Sequence, residues 1–206
     1  MAVLHVRLNL ITADPRLLSD SVKFIENEVR PEVEAQPGSL GLTLQANPEL
    51  GIAILESFWA SGDAMRASER IAAPHRAAAV RRATGTVTVE RYGVPVFERE
   101  APLLTGEGVR LTRLDVVPSA VEDAVATFGD IAVPRLADLQ GFCCALFFID
   151  RHSGRSVIET IWQGREALAE SRSAAAAIRA DAVLATSGEI RAVEEYQLVF
   201  SSARKA

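Results

Sequence analysis

Residues 51–64 read GIAILESFWASGDA, and residues 154–167 read GRSVIETIWQGREA. The glycine, the glutamate, the tryptophan and the last alanine of these two segments are identical and lie 103 positions apart. The same offset holds outside the two segments, because 19 of the 79 positions between residues 7 and 85 match the residue 103 positions later. A period this long indicates one small domain that has been duplicated, since solenoid repeats have periods of about 20–50 residues.

The length of the chain agrees with a duplication. Its 206 residues divide into two copies of roughly 95 residues, each near the usual size of a small domain. We predict a first repeat over residues 1–97, a linker over residues 98–107 that contains Pro102 and Gly106, and a second repeat over residues 108–202.

The pattern within each copy predicts its order of strands and helices. Residues 3–10 alternate between apolar and polar side chains, which is typical of a strand. A helical pattern runs from Pro15 towards Glu34, and Pro31 inside it predicts a kink or a break. Two further strands, a helical region after Ser61 and a closing strand near residues 87–92 follow. The second copy repeats the order β-α-β-β-α-β, which is the ferredoxin-like plan.

The first strand carries an apolar stripe made of Leu4, Val6, Leu8 and Leu10. A four-stranded sheet with helices on one face leaves its other face bare, so this stripe has to be buried by something else. Two such sheets packed against each other bury both stripes, and a tandem duplication supplies both sheets in one chain.

The chain resembles the antibiotic biosynthesis monooxygenase-like domains of the dimeric α+β barrel superfamily. The resemblance covers nearly the whole chain, once per copy. It is carried by the Pro37-Gly38 turn, the hairpin at Gly51, the strand end Glu56-Ser57-Phe58-Trp59, the helix start Asp63-Ala64, and their counterparts at Gly141, Gly154, Glu159-Thr160-Ile161-Trp162 and Glu166-Ala167. It implies an α+β fold in which two ferredoxin-like β-α-β-β-α-β repeats form an intramolecular dimeric α+β barrel.

Composition limits the classes of partner and the compartment. With 49% hydrophobic and 24% charged residues the chain has the composition of an ordinary globular protein. Its net charge of −5 argues against nucleic acid or an anionic membrane as the main partner. The sequence contains no membrane-spanning run and no signal peptide, so we expect a cytoplasmic protein with Cys143 and Cys144 as reduced thiols. Further assembly into a homo-oligomer stays open.

The sequence predicts that no metal or organic cofactor is bound. Its three histidines are scattered and its two cysteines are adjacent, so no ligand spacing typical of a metal site occurs. It also contains no phosphate-binding loop, no dinucleotide-binding fingerprint and no nucleophile elbow.

A polar row lies opposite the apolar stripe on the first strand. His5, Arg7 and Asn9 share one face, and if the leucines face the barrel interior, these three side chains point towards the helices. They then line a small pocket, or alternatively they reach solvent or cap a helix end.

The resemblance implies two candidate catalytic residues, Asn9 and His75. In the haem-degrading branch of the superfamily, an Asn on the first strand and a His on the second helical segment flank the ligand. The branch also carries a Trp where this chain has Ser68, which counts against haem. The equivalents in the second copy are Thr112 and Ile178, so such a site is expected in the first copy alone. The alternative is that His75 is a surface or capping residue.

Four further residues are candidates for binding the substrate: Arg7, Trp59, Ser68 and Tyr92. Each has a structural alternative. Trp59, repeated as Trp162, fits a wedge between strand end and helix, and a strand tyrosine is ordinary core material. The repeated Glu56 is interpreted as an ion-pair partner of Arg7 on the neighbouring strand.

Three hypotheses about function follow. The first is a cofactor-independent monooxygenase that acts on an aromatic or polyketide-like small molecule, which is the chemistry that the resemblance implies. The second is a haem-binding or haem-degrading protein that uses the same pocket. The third is a non-catalytic barrel protein that binds a small apolar or aromatic ligand. In the first two the ligand lies between the sheet and the helices of the first copy.

Overall fold

The computed structural model describes residues 4–204, which form eight strands and two similar sets of helices. The strands are β1 (Leu4–Thr12), β2 (Ser39–Asn47), β3 (Ile52–Trp59), β4 (Thr86–Arg99), β5 (Gly108–Asp115), β6 (Phe142–Ile149), β7 (Arg155–Trp162) and β8 (Glu189–Ser201). The predicted first strand starts at Val3, which lies outside the described residues.

The helices of the two repeats correspond one to one. The first repeat contains α1 (Leu18–Phe24), a π-helical turn (Ile25–Val29), α2 (Arg30–Glu34), α3 (Gly62–Ala67) and α4 (Glu69–Ala83). The second contains α5 (Val121–Ala126), a π-helical turn (Thr127–Ala132), α6 (Val133–Ala137), α7 (Gly164–Glu170) and α8 (Arg172–Thr186). Short 3-10 turns lie at Pro48–Leu50 and Pro118–Ala120. No helix within residues 4–204 combines the length and the apolar character that crossing a membrane requires.

The strands form one closed antiparallel barrel in the order β1-β3-β2-β8-β5-β7-β6-β4. Each repeat contributes a ferredoxin-like sheet, and the predicted α+β fold with an intramolecular dimeric barrel is confirmed. The apolar stripe is buried at Leu4, Val6 and Leu8, and Leu10 is partly exposed.

The chain divides into two compact units whose boundary differs from the predicted linker. The first unit comprises the residues up to Arg91 and those from Leu198 onwards, and the second runs from Tyr92 to Gln197. The strands β4 and β8 therefore each begin in one unit and end in the other. Glu98 and Arg99, which the sequence assigns to the linker, belong to β4 because this strand pairs with β6 as far as Arg99.

Both long helical regions contain a π-helical turn just before a proline. In the first, the backbone N–H of Arg30 bonds to the carbonyl of Ile25, five residues back, and Pro31 follows. In the second, Val133 bonds to Phe128 in the same way and Pro134 follows. A proline has no N–H and its ring collides with the carbonyl four residues back, so a wider turn accommodates it. The predicted break at the repeated proline takes this form.

Candidate functional site

A cavity lies between the sheet and the helices of the first unit. Its empty volume, counted together with the solvent at its mouth, is about 420 Å³. It is lined by Arg7, Asn9, Ile11, Ile25, Val29, Val33, Leu42, Leu55, Ser57, Ala72, His75, Arg76 and Ala79. The structure therefore brings Arg7, Asn9 and His75, which lie far apart in the sequence, to the wall of one apolar cavity.

Arg7 braces strand β1 against the helices. Its Nη2 donates to the Met65 carbonyl and, at 3.0 Å, to Ser68 Oγ, and it pairs with Glu69 at 3.2 Å. The side chain is only 1% exposed, and its Cζ lies 5.7 Å from the centre of the Trp59 ring. Burial lowers the pKa of Arg7 to about 10, although the charge of Glu69 opposes this shift, so the guanidinium is still protonated at neutral pH.

Three buried polar atoms on residues that line this cavity have no hydrogen-bond partner among the described residues. They are Asn9 Oδ1, Arg7 Nε and Arg76 Nη1. The amide nitrogen of Asn9 is occupied, because Nδ2 donates to the Leu55 carbonyl at 3.0 Å. A buried polar atom without a partner costs about 1–3 kcal/mol, which a ligand of complementary chemistry recovers. One acceptor and two guanidinium donors on residues of this wall therefore lack a hydrogen-bond partner within the described part of the chain.

His75 lies at the edge of the same cavity. Its Nε2 is 2.8 Å from Glu32 Oε2, and its ring centre is 6.1 Å from that of Phe24. In the tautomer in which Nε2 donates to this carboxylate, Nδ1 is the ring nitrogen that can accept a hydrogen bond.

The other three candidate residues do not line the cavity wall. Trp59 is fully buried in the core and donates from Nε1 to Ser57 Oγ at 3.0 Å. Ser68 is occupied by Arg7 and donates to the Met65 carbonyl at 2.8 Å. Tyr92 is buried and falls in the second unit. Neither the structure nor a comparison tests these residues for substrate binding, which stays a prediction.

The expected pairing of Arg7 with Glu56 is wrong. On the antiparallel strands β1 and β3, Leu8 lies opposite Glu56 and Arg7 lies opposite Ser57. Because neighbouring residues on a strand point to opposite faces, Arg7 and Glu56 are on different sides of the sheet. Glu56 accepts instead from Gln45 Nε2 at 3.1 Å.

The second unit repeats the arginine brace. Arg110 donates to Ser171 Oγ at 3.0 Å and to the Leu168 carbonyl at 2.6 Å, and Trp162 Nε1 donates to Thr160 Oγ1 at 3.0 Å. The sequence predicts Ser68 as a binding residue. However, both the serine and its arginine partner are repeated, as Ser171 and Arg110, and this repetition indicates a hydrogen-bonded pair that stabilises the fold.

The described residues contain no group of three or more His, Cys, Asp or Glu side chains that could hold a metal ion. Cys143 and Cys144 are both buried thiols. Burial, helped by the neighbouring carboxylate of Glu107, raises the pKa of Cys143 to about 12, so its reactive thiolate form is suppressed at neutral pH.

Glu69 pairs with Arg7, and Glu195 pairs with Arg110. Because of these two carboxylates we expect the protein to lose stability in acid. Burial alone would raise the pKa of Glu69, but the hydrogen bond from Arg76 and the charges of Arg76, Arg7 and Arg91 outweigh it and lower the pKa. The hydrogen bonds from Arg172 and Arg110 likewise lower the pKa of Glu195 against the effect of burial.

A carboxyl whose pKa is lower in the folded state stabilises the fold above its unfolded pKa, about 4.3 for Glu, and this contribution disappears as the pH falls through the folded value. We expect the free energy of unfolding in urea to fall from about pH 6 to about pH 3 more steeply in the wild type than in the E69Q/E195Q double variant. Equal slopes for the two proteins would contradict this assignment.

No protein-family model matches the chain. Two uncharacterised proteins of Mycobacterium tuberculosis are similar over nearly its full length. One is 27% identical over 204 residues, which cover 98% of this chain and 86% of the relative. The other is 25% identical over 202 residues, which cover 98% of this chain and 90% of the relative.

Solved structures with the same fold include proteins related to oxygenases. An anthrone oxidase-like protein has a TM-score of 0.71 at 18% identity, covering 98% of this chain and 93% of that chain. A candidate monooxygenase of Fusobacterium nucleatum has a TM-score of 0.73 at 12% identity, with 98% and 95% coverage. A haem-degrading enzyme of Listeria monocytogenes has a TM-score of 0.53 at 10% identity, with 93% and 98% coverage. At these identities the likeness shows the shared dimeric α+β barrel fold.

Proposed function

We propose that the cavity of the first unit binds a small, electron-rich aromatic molecule and that the protein oxidises this molecule with O₂ without a cofactor. The observation that carries the proposal is the set of three unpartnered polar atoms on Asn9, Arg7 and Arg76 at the wall of an otherwise apolar cavity. A site that is mostly apolar, with a few convergent polar groups, is typical of small-molecule binding.

The chemistry of these atoms defines the ligand. Asn9 Oδ1 accepts a hydrogen bond from a ring hydroxyl, and the two guanidinium groups donate to an oxygen that carries negative charge. Apolar side chains such as Ile11, Ile25 and Leu55 hold the ring itself. A phenol, a naphthol or the enol form of an anthrone presents this combination.

Oxidation then needs an electron-rich anion next to oxygen. His75 Nδ1 takes the proton from the substrate while Nε2 donates to Glu32, and Arg7 and Arg76 stabilise the phenolate or enolate that forms. The anion gives electrons to O₂, and an activated ring or benzylic CH₂ becomes C=O. One oxygen atom enters the product and the other leaves as water with the two hydrogens of the CH₂ group.

Haem was the second hypothesis, and the placement of Asn9 and His75 on one cavity is the observation in its favour. The residues present do not fit the group. At the position where the haem-degrading branch carries a Trp, this chain has Ser68, and its hydroxyl is occupied by Arg7. In addition, the Nε2 atom of His75, which would have to hold the iron, is already in contact with Glu32 Oε2.

The test combines binding and turnover with 1-naphthol and anthrone. We expect calorimetric titration to show binding of 1-naphthol, and we expect anthrone under ¹⁸O₂ to give a product that contains one ¹⁸O atom, with a metal chelator present. The Asn9→Leu variant removes the buried acceptor and should weaken 1-naphthol binding by about 10–100-fold.

The matched control is Asn27→Leu, because Asn27 is an exposed asparagine on the helical region that covers the same unit. This variant should bind 1-naphthol as the wild type does. Equal affinity of the Asn9→Leu variant and the wild type would overturn the proposed site. Binding without ¹⁸O incorporation would overturn the proposed reaction and favour the third hypothesis, a non-catalytic binding protein.

A further inference from the structure

The second unit has its own cavity between sheet and helices, and it is larger than the first. Its empty volume, counted in the same way with the solvent at its mouth, is about 650 Å³. Two of its wall positions carry smaller side chains than their equivalents in the first unit, because Thr127 occupies the position of Phe24 and Ala132 that of Val29. The wall includes Leu114, Phe128, Leu136, Phe147, Ile158 and Ile178.

One ion pair has its two charges exchanged in the second unit compared with the first. In the first unit an acid on helix α4, Glu69, faces Arg91 on strand β4 at 3.6 Å. In the second unit the equivalent helix position is Arg172, and it pairs at 2.5 Å with Glu195 on strand β8. The carboxylate therefore lies on the helix in the first unit and on the strand in the second.

This reversal leaves one cation without a counter-charge. In the first unit Glu69 also binds Arg76, and the equivalent of Arg76 in the second unit is Arg179. Glu195 binds Arg110 and Arg172 instead. Within residues 4–204, Arg179 forms no hydrogen bond and no ion pair. Burial and the like charge of Arg110 lower the pKa of Arg179, and both effects favour an anion beside it.

We propose that the cavity of the second unit is a separate binding site for a small carboxylic acid with an apolar body, whose carboxylate pairs with Arg179. The guanidinium and a carboxylate form a strong charge-assisted pair, while the apolar wall removes the body of the ligand from water. The hydroxyls of Thr112 and Thr127 on the same wall offer further hydrogen bonds. This site shares no residue with the cavity of the first unit, so it does not depend on the function proposed above.

The experiment compares octanoate with octanol on the full chain by calorimetric titration. We expect octanoate to bind more tightly than octanol, and we expect higher salt to weaken octanoate alone. The Arg179→Gln variant should weaken octanoate binding about tenfold or more and leave octanol unchanged, and Arg179→Lys should restore part of the loss. The matched control is Arg165→Gln, an exposed arginine on α7 outside the cavity wall, which should change neither.

A second variant locates the site without touching the charge. Thr127→Phe places in the second unit the residue that the first unit carries at the equivalent position, Phe24. This variant should lose binding of both octanoate and octanol at least tenfold, while 1-naphthol binding to the first unit persists. The proposal is overturned if octanoate does not bind the wild type, if Arg179→Gln binds octanoate as well as the wild type, or if Thr127→Phe leaves both affinities unchanged.

Discussion

Replacing Trp59 with alanine is expected to lower the free energy of unfolding by about 3–5 kcal/mol, the usual range for removing a buried tryptophan. The indole is fully buried, packs in the core of the first unit, and satisfies its N–H by donating to Ser57 Oγ. The change leaves a large cavity at the end of β3 and removes the surface under the Arg7 guanidinium. Urea denaturation followed by circular dichroism measures the loss.

The repeat supplies a matched comparison for this prediction. Trp162 is also fully buried, donates to Thr160 Oγ1, and contacts Phe142 edge-on at 5.5 Å, so Trp162→Ala should cost a similar amount. Trp59→Phe keeps most of the ring and loses one hydrogen bond, so its cost is closer to about 1 kcal/mol. If Trp59→Ala unfolded as readily as the wild type but lost 1-naphthol binding, the indole would be a ligand contact rather than a core residue.

The architecture was predictable because the residues that determine it are few and repeated. A tryptophan or glycine identical in both copies marks a position where packing or backbone geometry admits one residue type. The alternation in β1 predicts which face is apolar without any knowledge of the partner sheet. The π-helical turns before Pro31 and Pro134 were not predictable in detail. A proline in the sequence indicates that the helix is interrupted, but it does not indicate which hydrogen bonds form around the interruption.

The candidate site was only partly predictable. The face of β1 that carries Arg7 and Asn9 follows from alternation, and the structure places both on a cavity wall together with His75. The hydrogen bonds of Arg7 and Asn9 are formed with partners about 46–61 residues away, such as Ser68 and Leu55. These partners, and therefore the atoms left without one, depend on the tertiary fold and on the strand register. Neither can be derived from local pattern alone.

The larger cavity of the second unit could not be predicted from the sequence, because this unit has Thr112 and Ile178 in place of Asn9 and His75. The volume of a cavity depends on several side chains from different helices and strands, so no single residue signals it. The unpaired Arg179 has a similar origin. It is identical to Arg76, and only a change of charge at two other positions, Arg172 and Glu195, removes its partner.

Replacing Gly154 with alanine is expected to destabilise the second unit by about 2–5 kcal/mol, combining the cost of a left-handed backbone with that of a forced shift. Gly154 has a φ of +76°, and an added Cβ would lie 1.8 Å from the carbonyl oxygen of Val116. The two backbone segments cannot move apart easily, because the backbone N–H of Val116 donates a hydrogen bond to the Gly154 carbonyl at 2.9 Å. The hairpin between β6 and β7 is therefore held tightly against the end of β5, and no side chain can move aside to make room.

Gly164 separates the cost of the left-handed backbone from the cost of the steric clash. Its φ of +75° is almost the same as that of Gly154, but nothing lies within 4 Å of an added Cβ. Gly164→Ala should therefore cost only about 1–2 kcal/mol, the backbone part of the effect. Gly51→Ala should behave like Gly154→Ala, because its added Cβ would lie 2.2 Å from the Ala13 carbonyl oxygen in the first unit. Urea denaturation of the three variants measures the difference. If Gly154→Ala cost no more than Gly164→Ala, the close backbone approach would not be what requires glycine at this repeated position.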